Sequence, residues 1–193
     1  MLTIDKDGKV ISARITQHIV STLGKGPLGT VHGIVVHQTG GSNAQSAFSG
    51  YVARPYGTHF LIDKDGTIYQ TASLLYYTSH VGKLRARCVA EHRCTPVEMK
   101  TYAKFNPTLE NKLESAKSAP DRYPGNKDSI GIELVGEVVA GTDTYVAVTD
   151  AQNDSLKWLV SELAMTFHVP MTEVFRHPQL SRKNATEAST AKW

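Results

Sequence analysis

Nowhere in the sequence do apolar residues run on for the roughly 20 positions that a bilayer-crossing helix needs, and the start, Met1-Leu2-Thr3-Ile4-Asp5-Lys6-Asp7, has no basic-then-apolar export pattern. The chain is therefore expected to be made as a soluble cytoplasmic product with no membrane span. A substrate outside that compartment would be reached by a route other than a cleaved leader. Internal repeats and low-complexity tracts are absent, which excludes solenoids and disordered linkers. Charge of one sign is scarce as well: 21 Lys and Arg against 18 Asp and Glu leave a formal net charge of +3. The 193 residues, 40% hydrophobic and 20% charged, suit one well-buried core and are short for two. A single domain over 1–193 is expected.

Cysteine occurs only twice, as Cys88 and Cys94, close together and with His92 between them. The pair reads as a local disulfide suited to an oxidising compartment, as two free thiols, or with His92 as part of a metal site lacking an evident fourth ligand. Both cysteines fall in the segment Lys83 to Lys127, where ten Lys and Arg face five Asp and Glu, so the excess positive charge of the chain is concentrated there. Such a run reads first as a solvated surface and second as a contact for an anionic polymer. No interleaved basic and aromatic platform accompanies it, so nucleic acid is not an expected partner.

What is present is alternation and punctuation. Gly33 to His37 reads as a short β-branched strand ended by Thr39-Gly40-Gly41, with His37 at its end. Ser42 then caps a helix through the early fifties that Pro55 and Gly57 terminate. Residues 59–62 and 67–70 flank Asp63-Lys64-Asp65-Gly66 and read as a hairpin. Residues 84–127, with Pro96, Pro107, Pro120 and Pro124, lack sustained periodicity and read as an irregular or partly helical insertion. In the strand 129–136, Ile130, Ile132 and Leu134 share one face while Gly131 and Glu133 share the other. Thr149 or Asp150 caps a helix with the apolar stripe Leu156, Leu159, Val160, Leu163, Ala164 and Phe167. Val174-Phe175-Arg176 forms a last short strand that delivers His177. Alternating strands and helices place the chain in the α/β class.

Five blocks, Ile-Val-Val-His-Gln-Thr-Gly-Gly (34–41), Thr-His-Phe-Leu-Ile-Asp-Lys-Asp-Gly-Thr-Ile-Tyr-Gln (58–70), Ser-His-Val-Gly (79–82), Ser-Ile-Gly-Ile-Glu-Leu-Val-Gly (129–136) and Phe-Arg-His-Pro (175–178), carry a resemblance. In this order they resemble the type 2 N-acetylmuramoyl-L-alanine amidases, the family that includes the peptidoglycan recognition proteins and phage T7 lysozyme-like enzymes. The insertion lies outside the shared pattern. The resemblance implies a central mixed β-sheet flanked by helices and a zinc site in which His37 and His177 are ligands. In the family the third ligand is a Cys or Asp shortly after the second His, and this chain has neither. Glu187 stands as far beyond His177 as the aspartate of the recycling enzymes does beyond its histidine, and two His with one Glu is a workable zinc set.

By the same resemblance Glu133 is the catalytic glutamate, Thr58 stands where phage-type members carry a tyrosine, and Lys183 or Thr186 stabilises the oxyanion. His80 and Thr39 are implied to contact substrate, whereas His59 is expected to order its strand. The implied substrate is peptidoglycan or a muropeptide, cut between muramic acid and L-alanine. A non-catalytic peptidoglycan-binding module is the rival reading, favoured by the departure at the third ligand. The missing export pattern suits a phage lysis enzyme, a recycling enzyme, or an antibacterial effector secreted by a dedicated machine, which would have an immunity protein as partner. The basic insertion is expected to act as a lid or wall over the substrate groove.

Overall fold

Two kinds of apolar run build the centre of the fold, short β-branched stretches as strands and one long periodic stretch as the helix that covers one face of their sheet. In the computed structural model, which describes residues 1–193, Thr3–Ile4 (β1) and Val10–Ile11 (β2) form a small antiparallel ribbon, and Ile15–Gln17 (β3) enters the main sheet. Gly33–Gly40 (β4), the helix Ala44–Ala53 (α1), Phe60–Ile62 (β5) and Ile68–Gln70 (β6) follow. The insertion holds Arg87–Ala90 (α2), Pro96–Tyr102 (α3) and Pro107–Ser115 (α4), then leads into Ser129–Glu137 (β7). Asp150–Phe167 (α5), Val174–Arg176 (β8) and His177–Leu180 (α6) complete the elements.

The six strands of the mixed sheet lie in the order β3-β6-β5-β7-β4-β8, and only the β5-β6 hairpin pairs antiparallel. Parallel core strands are covered on both faces, and Ile34, Val35 and Val36 of β4 are accordingly all buried. On one face Ile34, Val36, Ile130, Ile132 and Leu134 meet Leu156, Leu159, Val160 and Leu163 of α5 in the main apolar cluster. The other face is covered in two pieces. Leu61 and Val135 pack with Phe48 and Tyr51 of α1, while Val35 and Phe175 pack with Val81, Leu84, Tyr123 and Leu180. His37 follows Val35, and Glu133 precedes Val135, on this second face. The polar side chains therefore fall where the apolar cover is interrupted.

α5 starts on a reciprocal cap, Thr149 Oγ1 accepting from the Gln152 amide and Gln152 Oε1 from the Thr149 amide, both at 3.1 Å. The Gln152 side chain also donates to the carbonyls of Ile62 and Val135, at 3.2 and 2.9 Å, which ties the helix start to β5 and β7. Of the two expected caps it is thus Thr149 that acts.

Several expectations need correction. β4 does not stop at His37 but runs to Gly40, because β7 goes on pairing with it past a register shift between Gln38 and Gly40. α1 is capped by Asn43 rather than Ser42, with Asn43 Oδ1 accepting from the Ser46 amide at 2.9 Å. The insertion is more regular than its weak periodicity suggests: α3 and α4 each begin on a proline that follows a capping residue, Thr95 and Asn106. Arg87 holds it to the body through a bidentate pair with Glu173, at 2.7 and 2.9 Å. Of the three readings of Cys88 and Cys94 the disulfide holds, so neither is a free thiol or a metal donor.

Candidate metal centre and catalytic cleft

β8 ends at Arg176, whose partner on β4 is Val36. The next residues on the two strands, His177 and His37, are therefore delivered to one level, and their rings lie 4.2 Å apart between centroids. On its other side His37 pairs with Glu133 of β7. Glu187, from the loop after α6, brings Oε1 to 3.0 Å from His177 Nδ1 and 3.5 Å from His37 Nδ1. Donor atoms of His37, His177 and Glu187 all lie within 4.8 Å of one another, and all three residues are buried.

The far nitrogens of the two rings decide what the near ones can do. His177 Nε2 lies 2.8 Å from the Val81 carbonyl oxygen, which can only accept, so Nε2 carries the proton. For His37 the assignment runs through a relay. The Ser129 hydroxyl donates to the Gly125 carbonyl at 2.6 Å, so it must accept from His80 Nε2 at 3.2 Å. His80 Nδ1 is then an acceptor and takes the proton of His37 Nε2 at 3.0 Å. In neutral rings both Nδ1 atoms are then lone pairs facing a carboxylate oxygen.

Burial, followed by the neighbouring His177, lowers His37 to about 4, so it is neutral at pH 7 and its approach to Glu187 is not a salt bridge. Burial opposes ionisation of Glu187, and it is donation from the two imidazoles that holds the carboxyl down to about 2, a donation that rings bare at Nδ1 do not make. Three buried acceptors converging on one point, one of them an anion, are unfavourable without a positive charge between them. The donor set fits a divalent cation, and the bonds behind both rings are the supporting contacts that orient metal-binding imidazoles.

Beside this centre, Glu133 is pushed up to about 7, chiefly by burial and against the hydrogen bond it receives from Tyr51. The Tyr51 hydroxyl donates to Glu133 Oε2 and lies 3.5 Å from Thr58 Oγ1. Its ring lies against Gly57, where an added Cβ would stand 2.6 Å from Tyr51 Cε1. At Thr58, where the resemblance implied a tyrosine in phage enzymes, the nearby tyrosine hydroxyl is that of Tyr51 from α1. Gly131 has a similar cause: a Cβ there would meet His80 Nδ1 and Thr58 Cγ2, both at 2.8 Å.

These groups line a cavity of about 420 Å³ whose walls also carry Tyr145, Lys183 and Asn184. Lys183 faces it, whereas the Thr186 hydroxyl is engaged with Asp143, Asn184 and the Tyr145 amide and does not line it. Thr39, expected at the substrate, instead accepts from the Gly41 and Gly136 amides at the β4-β7 irregularity and lies outside the lining. His80 lines the cavity, but both its ring nitrogens are used within the protein, so it positions His37 rather than reaching outward. His59 behaves as expected, buried between the Gly131 amide and the Tyr76 carbonyl. No residue of 84–127 lines this cavity, so the insertion is not a lid over it. Sequence reasoning missed Tyr51, Tyr145 and Ser129, which act through neighbours distant in sequence.

The family model for N-acetylmuramoyl-L-alanine amidase matches residues 27–191. Comparison with curated proteins gives no match. Among solved structures, an AmpD derivative is 21% identical with a TM-score of 0.57, covering 96% of this chain and 91% of that one. The amidase LysC from Clostridium intestinale is 21% identical with a TM-score of 0.52, covering 87% and 86%. AmiD from E. coli, solved with anhydro-N-acetylmuramic acid-L-Ala-D-γ-Glu-L-Lys, is 16% identical with a TM-score of 0.55, covering 94% of this chain and 60% of that longer one. At these identities the structures establish a shared fold, and the family match carries the relationship.

The relay behind His37 makes a measurable claim. His80→Ala should weaken zinc binding to the metal-free protein about 10- to 100-fold, the usual cost of losing such a contact, with the fold retained. Competition titration with a chelating dye reads this directly, and unchanged affinity would show that His80 does not orient the ligand.

Proposed function

The chain belongs to the N-acetylmuramoyl-L-alanine amidase family, and from that premise we propose that it is a zinc-dependent hydrolase. It cuts the amide between the lactyl group of N-acetylmuramic acid and the first L-alanine of the peptidoglycan stem peptide. The observation that carries this reading is the convergence of His37, His177 and Glu187 beside a buried carboxyl.

His37, His177 and Glu187 would hold the metal, and zinc bound there would supply a Lewis acid for the scissile carbonyl and an acidified water. Glu133, poised near 7, suits a group that takes a proton from the attacking water and returns it to the leaving alanine nitrogen. Tyr51 holds Glu133 Oε2, and Oε1 makes no hydrogen bond within the protein, which leaves it for that proton. Lys183 brings a cation to the cavity wall, where the oxyanion develops as water adds to the carbonyl. Collapse of that adduct breaks the C–N bond, releasing a lactyl carboxylate and a stem peptide with a free alanine amine.

The rival reading, a pure binding module, drew on a missing third donor; Glu187 at 3.0 Å from His177 favours the enzyme. The disulfide suits work outside a reducing compartment. It supports an antibacterial effector delivered to the wall, for which an immunity protein is the expected partner. Expression with an attached export signal should lyse bacteria and expression without it should not; harmless export would point to recycling of wall fragments.

Digestion of purified sacculi, analysed by mass spectrometry, tests the chemistry. Free stem peptides with an alanine amino terminus are expected, and they should disappear with a chelator and with Glu133→Gln. Intact sacculi with the protein tightly bound would establish the binding module instead. The acid limb of the kcat/KM profile should lie near pH 7, where Glu133 loses its proton. Because the Tyr51 hydrogen bond lowers the Glu133 pKa, Tyr51→Phe should move that limb to higher pH; a limb that stays in place would separate Tyr51 from the base.

A further inference from the structure

A second polar cavity, of about 440 Å³, lies between the insertion and the segment that carries His80. Ser79 belongs to the walls of both cavities, so they adjoin. Asn126 secures this junction, its Oδ1 accepting the amides of His80 and Val81 at 2.9 and 2.8 Å.

Among the groups of fixed hydrogen-bonding sense in the second cavity, donors predominate. Asn111 Oδ1 accepts the Leu84 amide at 2.9 Å, as Asn126 Oδ1 accepts its two amides, so the orientation of both carboxamides is fixed. Each residue lines the cavity, and each NH2 group is left without a protein partner. Asp128, the one carboxylate of the lining, uses its oxygens on the Gly125 amide at 2.7 Å and on Arg122 at 2.6 Å. Arg122 and Asp128 cancel in charge. Lys127 remains, exposed, with no ion-pair partner and with its Nζ 5.9 Å from the Tyr77 ring centroid.

The hydroxyls of Tyr77, Ser79 and Ser115 can donate or accept, so the groups of fixed sense, two free NH2 groups and one uncompensated cation, favour a ligand rich in acceptors and negative charge. Sugar hydroxyls offer donors as readily as acceptors. A stem peptide with a γ-linked glutamate offers carbonyls and carboxylates that only accept. We propose that this cavity is a subsite for stem-peptide carboxylates, with Lys127, Asn111 and Asn126 as the donors, and that the insertion serves to select the peptide. The identity of the ligand rests on the amidase reading; the donor-rich lining does not.

Two conservative changes outside the catalytic cavity test it. Asn111→Asp keeps an acceptor for the Leu84 amide but turns the free donor into an anionic oxygen, and Lys127→Met removes the charge while keeping an unbranched chain. Binding of free L-Ala-γ-D-Glu-L-Lys is measured by calorimetry. KM and kcat are measured on the muramoyl tripeptide with free and with amidated carboxylates. Each variant should bind the tripeptide about tenfold more weakly and show about tenfold higher KM on the free-acid substrate, with kcat unchanged and the amidated substrate unaffected. Unchanged binding and KM in both variants, equal losses on the amidated substrate, or no tripeptide binding by the unaltered protein overturns the subsite. Failure of the amidase reading looks different: the muramoyl amide stays intact while tripeptide binding still responds to both substitutions.

Discussion

Everything in the cleft depends on the register of β8 and β7 against β4. With Val36 opposite Arg176 and His37 opposite Glu133, two imidazoles and a carboxyl arrive at one level on one face of the sheet. A slip of one residue in a strand turns each of its side chains to the opposite face. His37 would then point into the apolar layer beneath α5, where no partner waits. The apolar residues between the site residues therefore set the chemistry: Ile34, Val36, Ile132 and Leu134 fix the register by demanding burial against α5, and the polar positions follow.

The same arrangement explains why so polar a row is tolerated in a buried place. The second face of the sheet is covered by two apolar pieces with the polar row at the break between them. Each polar group there has a partner behind it: Val81 for His177, the relay through His80 and Ser129 to Gly125 for His37, and Tyr51 for Glu133. What the protein does not satisfy from within is the point where the two Nδ1 atoms meet Glu187. Low dielectric makes that unmet point strongly selective for a cation, and it lifts Glu133 to the value a proton carrier near neutral pH requires.

How much of this was legible in the sequence follows from the range of the interactions involved. β-branched runs, the turn Asp63 to Gly66 and the stripe on α5 are local signals, and the strands, hairpin and helix form where those signals lie. Glu187 could be reached only by its spacing from His177 in the resembling enzymes, and it does stand beside both histidines. Tyr51 was out of reach because its function depends on an approach of α1 to β7 that no local pattern encodes. Ser129 acts through a histidine distant in sequence. His80 and Thr39 had motif positions suited to substrate, but neighbouring groups use their polar atoms. In the insertion the caps on α3 and α4 outweighed a weak apolar period.

The most direct test of the account is X-ray absorption on the zinc-loaded protein, with a zinc titration to fix stoichiometry. One zinc per chain, ligated by two imidazoles and a carboxylate with no sulfur, and lost in His37→Ala and Glu187→Ala, is the predicted result. Zinc held through sulfur, or zinc retained in full after both substitutions, would contradict the claim that these three lone pairs were brought together to hold a cation.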